Sequence, residues 1–370
     1  MVWNPTVLIL GSGGVKGYMM IGSLLLLEKT SLLSNIKTIV GISIGSFIGL
    51  LFSIGCSITE ILELSLTTNL SDMMSSFDLN HIQTYNGVFP HHLFRSKIEQ
   101  KLKSKFGFIP TFSQLYMMTG YKFICVVTNM DDDKAEYFSH ETEPDLLVSE
   151  AVIMSMNIPL LFHMYKYKNK LYADGAILNP LPIELFDDGK TDILTIYLGE
   201  SHIDPQVSLM NYVLKIIKLV SEKEKQKILQ IQSERCKLIE LIDESREPLG
   251  LKLTFENKTH MIIKGYVSTY KFLQTMNTPL DIKELIPVNF FSLESNSHPK
   301  RQLKVLTIEA SDTSSSEESF ETSSEDDEEE ADKYLNELFS DLEENQQEES
   351  ITVENVTDDQ PEPSLPLQEE

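Results

Sequence analysis

The chain has 370 residues and 41% apolar content, enough for one large domain with a sizeable core, with or without a tail. Its net charge of −25 is unevenly placed: residues 310–370 hold 23 acidic residues against one lysine, so the remainder is close to neutral. Three scattered cysteines, Cys56, Cys125 and Cys236, with no CxxC pair, argue against a disulfide scaffold or a zinc site and fit a reducing compartment.

In chain order, residues 6–10 predict a short buried strand, too short for a signal core and running straight into a glycine-rich turn at 11–16. An apolar helix follows over 17–29. Residues 37–42 predict a second strand and 44–54 a second helix. Strand–turn–helix occurring twice predicts a parallel α/β sheet, with sites beyond the carboxyl ends of its strands. The apolar run 39–56 contains Gly41-x-x-x-Gly45-x-x-x-Gly49, but it is borderline short for a membrane span and is interrupted by Ser43, Ser46 and Ser53. A buried strand entering a buried helix is the better reading. Residues 57–114 read as mostly helical, punctuated at Asn86-Gly87 and Phe89-Pro90. Strands are expected at 121–128 and 134–140, a helix at 144–156 stopped by Asn157-Ile158-Pro159, and a hairpin at 164–173 around Lys168-Asn169. Beyond these come a strand at 191–198, a long helical pattern at 207–242, a strand at 259–263 and a helix at 268–274. There is no internal repeat. From Ser311 onward Ser, Thr, Glu and Asp dominate, which predicts disorder, with a small apolar interruption at 334–342.

Three constellations carry chemistry. Gly41-Ile42-Ser43-Ile44-Gly45 is a G-x-S-x-G sequence between an expected strand and an expected helix. Glycines on both sides permit the tight turn that lifts a serine hydroxyl above a sheet, and a helix starting at Ile44 points its amino end where negative charge develops. Alone, this pentapeptide recurs by chance. The second is Gly11-Ser12-Gly13-Gly14-Val15-Lys16-Gly17, whose bare amides can form an anion-binding nest. A dinucleotide fingerprint fails because Lys16 occupies the last glycine position, and a P-loop fails for want of its Gly-Lys-Ser/Thr ending. An oxyanion hole near Gly13 and Gly14 survives beside a plain βα turn. The third is Asp174-Gly175-Ala176, where a carboxylate at a strand end can point back into a cleft; an ordinary Asp-Gly turn reads the same way.

Together the three resemble the patatin-like phospholipase family, whose pattern is G-G-G-x-K/R-G, then G-x-S-x-G, then D-G-G/A, in this order. Between the motifs, Glu150-Ala151 and the run Met154-Ser155-Met156-Asn157-Ile158-Pro159-Leu160-Leu161-Phe162 look like the family's small-residue and Ile-Pro segment ahead of the aspartate strand. The resemblance covers about residues 7–186, with an extension through Leu273. Ser12 stands where the family usually has the first glycine of its triplet, and Ala176 is an alternative the family also uses. The resemblance implies an α/β fold with three α/β/α layers and a central, mostly parallel sheet. That domain is expected over residues 5–277, followed by a linker at 278–310 and a disordered acidic tail at 311–370.

The activity it implies is hydrolysis of carboxyl esters in phospholipids or lysophospholipids, with no cofactor and no metal. Ser43 is the implied nucleophile, Asp174 its direct base, and Gly13 and Gly14 the oxyanion donors. Gly11, Ser12, Lys16, Gly17, Gly41, Gly45, Gly175 and Ala176 complete the motifs, with Lys16 assigned to the loop or its electrostatics. An unperturbed aspartate near pKa 3.9 is a weak base, which burial beside a hydroxyl would correct. A triad through His202 or His260 is the competing arrangement. Asp131-Asp132-Asp133 lacks the spacing of a calcium loop and reads as solvated. A transacylase, a triacylglycerol lipase and an inactive lipid-binding scaffold are the alternatives in function. The expected setting is cytoplasmic with peripheral membrane contact and no nucleic-acid partner. The lysine-rich helix expected over 215–237 could lie on a membrane or cover the site, and reads first as a solvated amphipathic helix. Tail serines such as Ser315 and Ser323, each followed three residues later by an acid, fit acidophilic kinases, and the tail could also bind other proteins.

Overall fold

The computed structural model describes residues 3–67, 80–199, 209–242 and 253–276. β1 (Val7–Leu10) passes through a 3-10 turn into α1 (Gly17–Leu27), and β2 (Thr38–Ile42) passes through one residue into α2 (Ile44–Ser53). Next come α3 (Ile58–Thr67), α4 (Asn80–Tyr85), β3 (Gly87–Phe89), α5 (His92–Phe106) and α6 (Phe112–Thr119). β4 (Lys122–Asn129), β5 (Lys134–Phe138), α7 (Val148–Ser155), β6 (Leu160–Phe162), β7 (Tyr165–Tyr167) and β8 (Lys170–Asp174) follow. The described part ends with β9 (Ile193–Leu198), α8 (Leu209–Ile231), β10 (Cys236–Leu241) and α9 (Phe255–Thr275).

The main sheet has the order β10-β9-β1-β2-β4-β8-β7, with β5 folded back on β4. From β10 to β4 every neighbour is parallel, and β5, β8 and β7 join antiparallel. The central parallel strands β1, β2, β4 and β9 are largely apolar on both faces, as burial on both sides requires. Leu8, Leu10, Ile39, Phe123, Cys125 and Val127 face one helical layer, which includes α1, α2 and α7. Val7, Ile9, Val40, Ile42, Ile124 and Val126 face the other, where Leu181, Ile183 and the α8 residues Ile228 and Leu229 pack. The result is the expected three-layer α/β domain. The run 39–56 is β2 and α2, buried in this core.

Register brings the motifs to one edge. Leu10 pairs with Gly41 and Ile196, so β1, β2 and β9 end together. Ile42 pairs with Val126 on one side of β4, and Val127 pairs with Asp174 on the other. The residue after Ile42 therefore lies level with Asp174 across β4.

Several expected elements differ. The pattern at 207–242 is two elements: α8 stops at Ile231, and Cys236–Leu241 is a strand parallel to β9. The break is a polar turn in which the Ser233 backbone N–H donates to Asp187 Oδ2 at 2.6 Å. The strand expected at 259–263 and the helix at 268–274 are one continuous helix, α9. Gly265 does not interrupt it; it lets the backbone of α9 approach α1 so closely that a Cβ there would collide with the Met19 carbonyl. The helix expected from 144 begins only at Val148, because Leu147 is extended and bridges to Thr111. Within 57–114 and beside Pro159, Gly87–Phe89 and Leu160–Phe162 pair as a small second sheet. The hairpin turn at Lys168 and Asn169 forms with φ of 47° and 63°, the positive values that a tight hairpin requires. The linker and tail expected over 278–370 lie outside the described residues.

Candidate active site

Ser43 joins β2 to α2 with φ 55° and ψ −125°, a region rarely adopted by residues with side chains and costing about 1–3 kcal/mol. The fold holds it there from both backbone ends. Its N–H donates to Ser155 Oγ of α7 at 2.9 Å. Its carbonyl accepts from the Ser46 N–H at 2.8 Å and from Ser46 Oγ at 2.6 Å. A serine at a helix start ordinarily spends its hydroxyl capping the first turn. Here there is no such cap, and the hydroxyl donates to Asp174 Oδ2 at 2.5 Å. Gly45 keeps the first turn of α2 against the end of β1, because a Cβ there would run into the carbonyls of Leu10 and Gly11. That close approach sets the glycine loop beside Ser43.

Asp174 ends β8. Its Oδ1 accepts from the Ala176 N–H at 2.9 Å, its carbonyl accepts from Thr128 Oγ1 at 2.9 Å, and its N–H donates to the Asn157 carbonyl at 2.9 Å. Asn157 is pinned in turn: Nδ2 donates to the Tyr172 carbonyl at 2.8 Å, and Oδ1 pairs with His91 Nε2 at 3.1 Å. Burial of His91 depresses its imidazole pKa. Ser43 and Asp174 are 4% and 5% exposed, so the pair meets solvent only through the pocket. Burial pushes the Asp174 carboxyl up to about 6, against the two hydrogen bonds from Ser43 and Ala176 that favour its charged form.

Both residues open into a pocket of about 190 Å³. Ser12, Gly13, Gly14 and Lys16 line one side, and Ile158, Pro159, Ala176 and Ile177 another. Leu214, Ile217 and Lys218 of α8 close over it. Gly17 and Gly41 support this arrangement from behind, packing against Ile44 and Ser46, while Gly175 packs on Val126. Gly11 anchors the loop through its N–H to the Ile196 carbonyl at 2.9 Å. Lys16 is buried at the mouth of the loop. A serine touching a raised-pKa carboxylate, beside a glycine loop and an apolar wall, is equipped for acyl transfer.

Of the histidines that could extend the pair to a triad, His260 is exposed on α9 and does not line the pocket, and His202 lies outside the described residues. Ser155, Asn157 and Thr128 hold the pair in place, yet no sequence argument assigned them this work. The run 154–162 carried the only signal.

Residues 8–187 match the family model for patatin-like phospholipases. This segment belongs to the patatin-like phospholipase family. It contains Ser43, Asp174 and the glycine loop, and it ends before β9 and β10, which complete the sheet, and before α8, which closes over the pocket. The chain is 30% identical over 186 residues to a probable lipid hydrolase, 463L, of Invertebrate iridescent virus 6, covering 48% of this chain and 62% of that protein. It is 29% identical over 185 residues to an uncharacterized protein, R571, of Acanthamoeba polyphaga mimivirus, covering 49% of this chain and 61% of that protein. The chain thus spans about three-fifths of the length of these curated relatives. Among solved structures it is similar to VipD from Legionella pneumophila, with TM-score 0.49 and 15% identity over 74% of this chain and 67% of that one. Among the described residues, no helix is long and apolar enough to cross a membrane.

Proposed function

We propose that this patatin-like chain is a serine lipid acyl hydrolase that cleaves carboxyl esters of phospholipids or lysophospholipids. The observation that carries this reading is the 2.5 Å hydrogen bond from Ser43 Oγ to Asp174 Oδ2, made by a serine turned into positive φ and facing a pocket. In the first half-reaction Ser43 Oγ attacks the ester carbonyl while Asp174 takes its proton. The tetrahedral oxyanion is met by amides of the Gly13–Gly14 loop and by the amino end of α2, each donor contributing about 3 kcal/mol. Asp174 returns the proton to the departing alcohol, leaving acyl-Ser43. In the second half, Asp174 deprotonates a water that attacks the acyl-serine, and Ser43 regains its hydrogen. With the base bonded directly to the nucleophile, no histidine is needed between them. A pKa near 6 keeps Asp174 ionised at neutral pH while making it a better base than an exposed aspartate.

The family membership of residues 8–187 supports the ester-lipid substrate, and the apolar wall of Ile158, Pro159, Leu214 and Ile217 supports an acyl chain. Three free, buried cysteines support a reducing, cytoplasmic setting. Exposed apolar residues on α8 support peripheral contact with membranes. The test is labelling by a fluorophosphonate probe. Wild type is expected to react and to hydrolyse a phospholipid, whereas Ser43→Ala and Asp174→Asn should each lose at least a thousandfold in turnover. Equal labelling of wild type and Ser43→Ala would sink this assignment.

A further inference from the structure

The reach of Asp174 toward Ser43 is set by where its backbone sits, and that backbone lies near an edge. The pairing of β7 with β8 ends at Tyr172, before Asp174 is reached. Asn157, in the irregular stretch after α7, covers the remainder. Its carbonyl accepts the Asp174 N–H at 2.9 Å, and its Nδ2 donates to the Tyr172 carbonyl at 2.8 Å. A carbonyl can only accept, so the Asn157 amide must turn its NH2 to Tyr172 and its Oδ1 the other way. There it meets His91 Nε2 at 3.1 Å, which requires the imidazole to carry a proton on Nε2. Burial, helped by His163 and Arg95, keeps the ring neutral against the pull of Asn157, and a neutral ring has one N–H to give. The ring itself is clamped. It stacks on Phe162 at 5.9 Å and meets Tyr165 and His163 edge-on at 5.2 Å and 6.3 Å. One turn further along α5, Arg95 donates to the Tyr165 hydroxyl at 2.8 Å and pairs with Glu150 of α7. His91 lies behind the pocket and does not line it. Losing its N–H would leave Asn157 Oδ1 buried without a donor, and the amide would be free to turn away from Tyr172.

We propose that His91 is a positioning residue for the base: by donating to Asn157 it fixes the end of β8, and so holds the Asp174 carboxylate at bonding distance from Ser43 without touching substrate. This rests on the lipid hydrolase reading. The test separates the donor from the ring. His91→Phe keeps an aromatic ring between Phe162 and Tyr165 and removes the N–H, whereas His91→Gln gives up the ring and keeps an N–H where Nε2 stood. In the full chain, kcat and KM are measured with p-nitrophenyl butyrate. Small misplacements of a catalytic group are costly, so His91→Phe is expected to lower kcat about tenfold or more. KM should stay as it was, and His91→Gln should recover most of the loss. In an Asn157→Ala background His91→Phe should have no further effect, because the two residues act through one bond. The proposal is overturned if His91→Phe keeps the wild-type kcat, if His91→Gln falls as far as His91→Phe, or if the losses from His91→Phe and Asn157→Ala simply multiply. Should His91→Phe fail to fold, as judged by urea unfolding, His91→Leu takes its place with the same expectations. Fluorophosphonate labelling of Ser43 is a separate readout. Labelling of His91→Phe at the wild-type rate sinks the role of His91 alone, whereas a wild type that does not label sinks the hydrolase reading and this role with it.

Discussion

Asp174 is held at odds with the fold that holds it. Burial raises its pKa to about 6, above its value in an unfolded chain, so folding favours the protonated form. Its contribution to stability is therefore fully present below about pH 4 and is lost as pH rises through 6. That difference corresponds to about 3 kcal/mol at most. Under the proposed mechanism activity follows the opposite limb, because Asp174 acts as a base only when ionised. We expect kcat/KM to rise with pH through an apparent pKa near 6. We also expect Asp174→Asn, though inactive, to be more stable than wild type by about 1–3 kcal/mol at pH 8, with the gap closing toward pH 4. Urea unfolding at both pH values checks this, and a variant less stable at pH 8 would contradict it. Ser155 belongs to the same balance. It accepts the N–H of a residue whose positive φ needs outside support, so Ser155→Ala leaves a buried donor unmet. The expected cost is about 1–3 kcal/mol of stability together with a fall in kcat larger than any change in KM. Ser43 and Asp174 are legible in the sequence because flanking glycines mark unusual backbone. Ser155 is not, because a small residue inside a helix reads as packing, and its partner lies 112 positions away.

At the scale of elements, the proposed function gives α8 the task of bringing lipid to this pair. One side of it closes the pocket. On the other, Tyr212, Ile216, Leu219 and Val220 are 54%, 46%, 58% and 44% exposed, a stripe spaced as one helical face. Lys215 flanks the stripe, and Lys223 and Lys227 are exposed one and two turns on. Apolar side chains beside lysines suit an anionic lipid surface. Replacing Leu219 by Glu should lower binding to vesicles containing anionic phospholipid by about tenfold, from lost burial and added repulsion. Hydrolysis of a soluble short-chain ester should be unaffected, since Leu219 does not line the pocket. Equal vesicle binding in a sedimentation assay would remove α8 as the docking element. The parallel core strands and the hairpin at Lys168-Asn169 are legible because long apolar runs and turn residues bound them. The strand of β10 is not. Its alternation is blurred by half-buried residues at the sheet edge, and it follows α8 after only a four-residue turn, so the helical period reads through it. In α9, Ile262 of the expected strand is instead a buried helical residue whose backbone lies against Gly22 of α1, tertiary contact overriding propensity.

For the whole molecule, charge is the dominant fact and it is segregated. Residues 310–370 carry a net −22 and the rest about −3, while the face that would meet lipid carries lysines. Among the described residues, Ser155 and Thr128 hold Ser43 and Asp174, and the glycine loop, Ile158, Pro159 and α8 wall the pocket. Deleting residues 311–370 should leave hydrolysis of a soluble ester unchanged. It should not leave membrane binding unchanged. A chain bearing this much negative charge is repelled by an anionic bilayer, and the repulsion is screened over about 10 Å at 0.1 M salt. The shortened chain is therefore expected to bind anionic vesicles more tightly than the full chain at low salt, with the difference shrinking as salt is raised, and to bind neutral vesicles equally. Vesicle sedimentation across a salt series separates this from a structural role, because loss of a folding contribution would weaken both lipids at every salt concentration. If phosphate is added at Ser315 or Ser323, the same reasoning predicts a further loss of anionic-membrane binding with no change in the chemistry at Ser43.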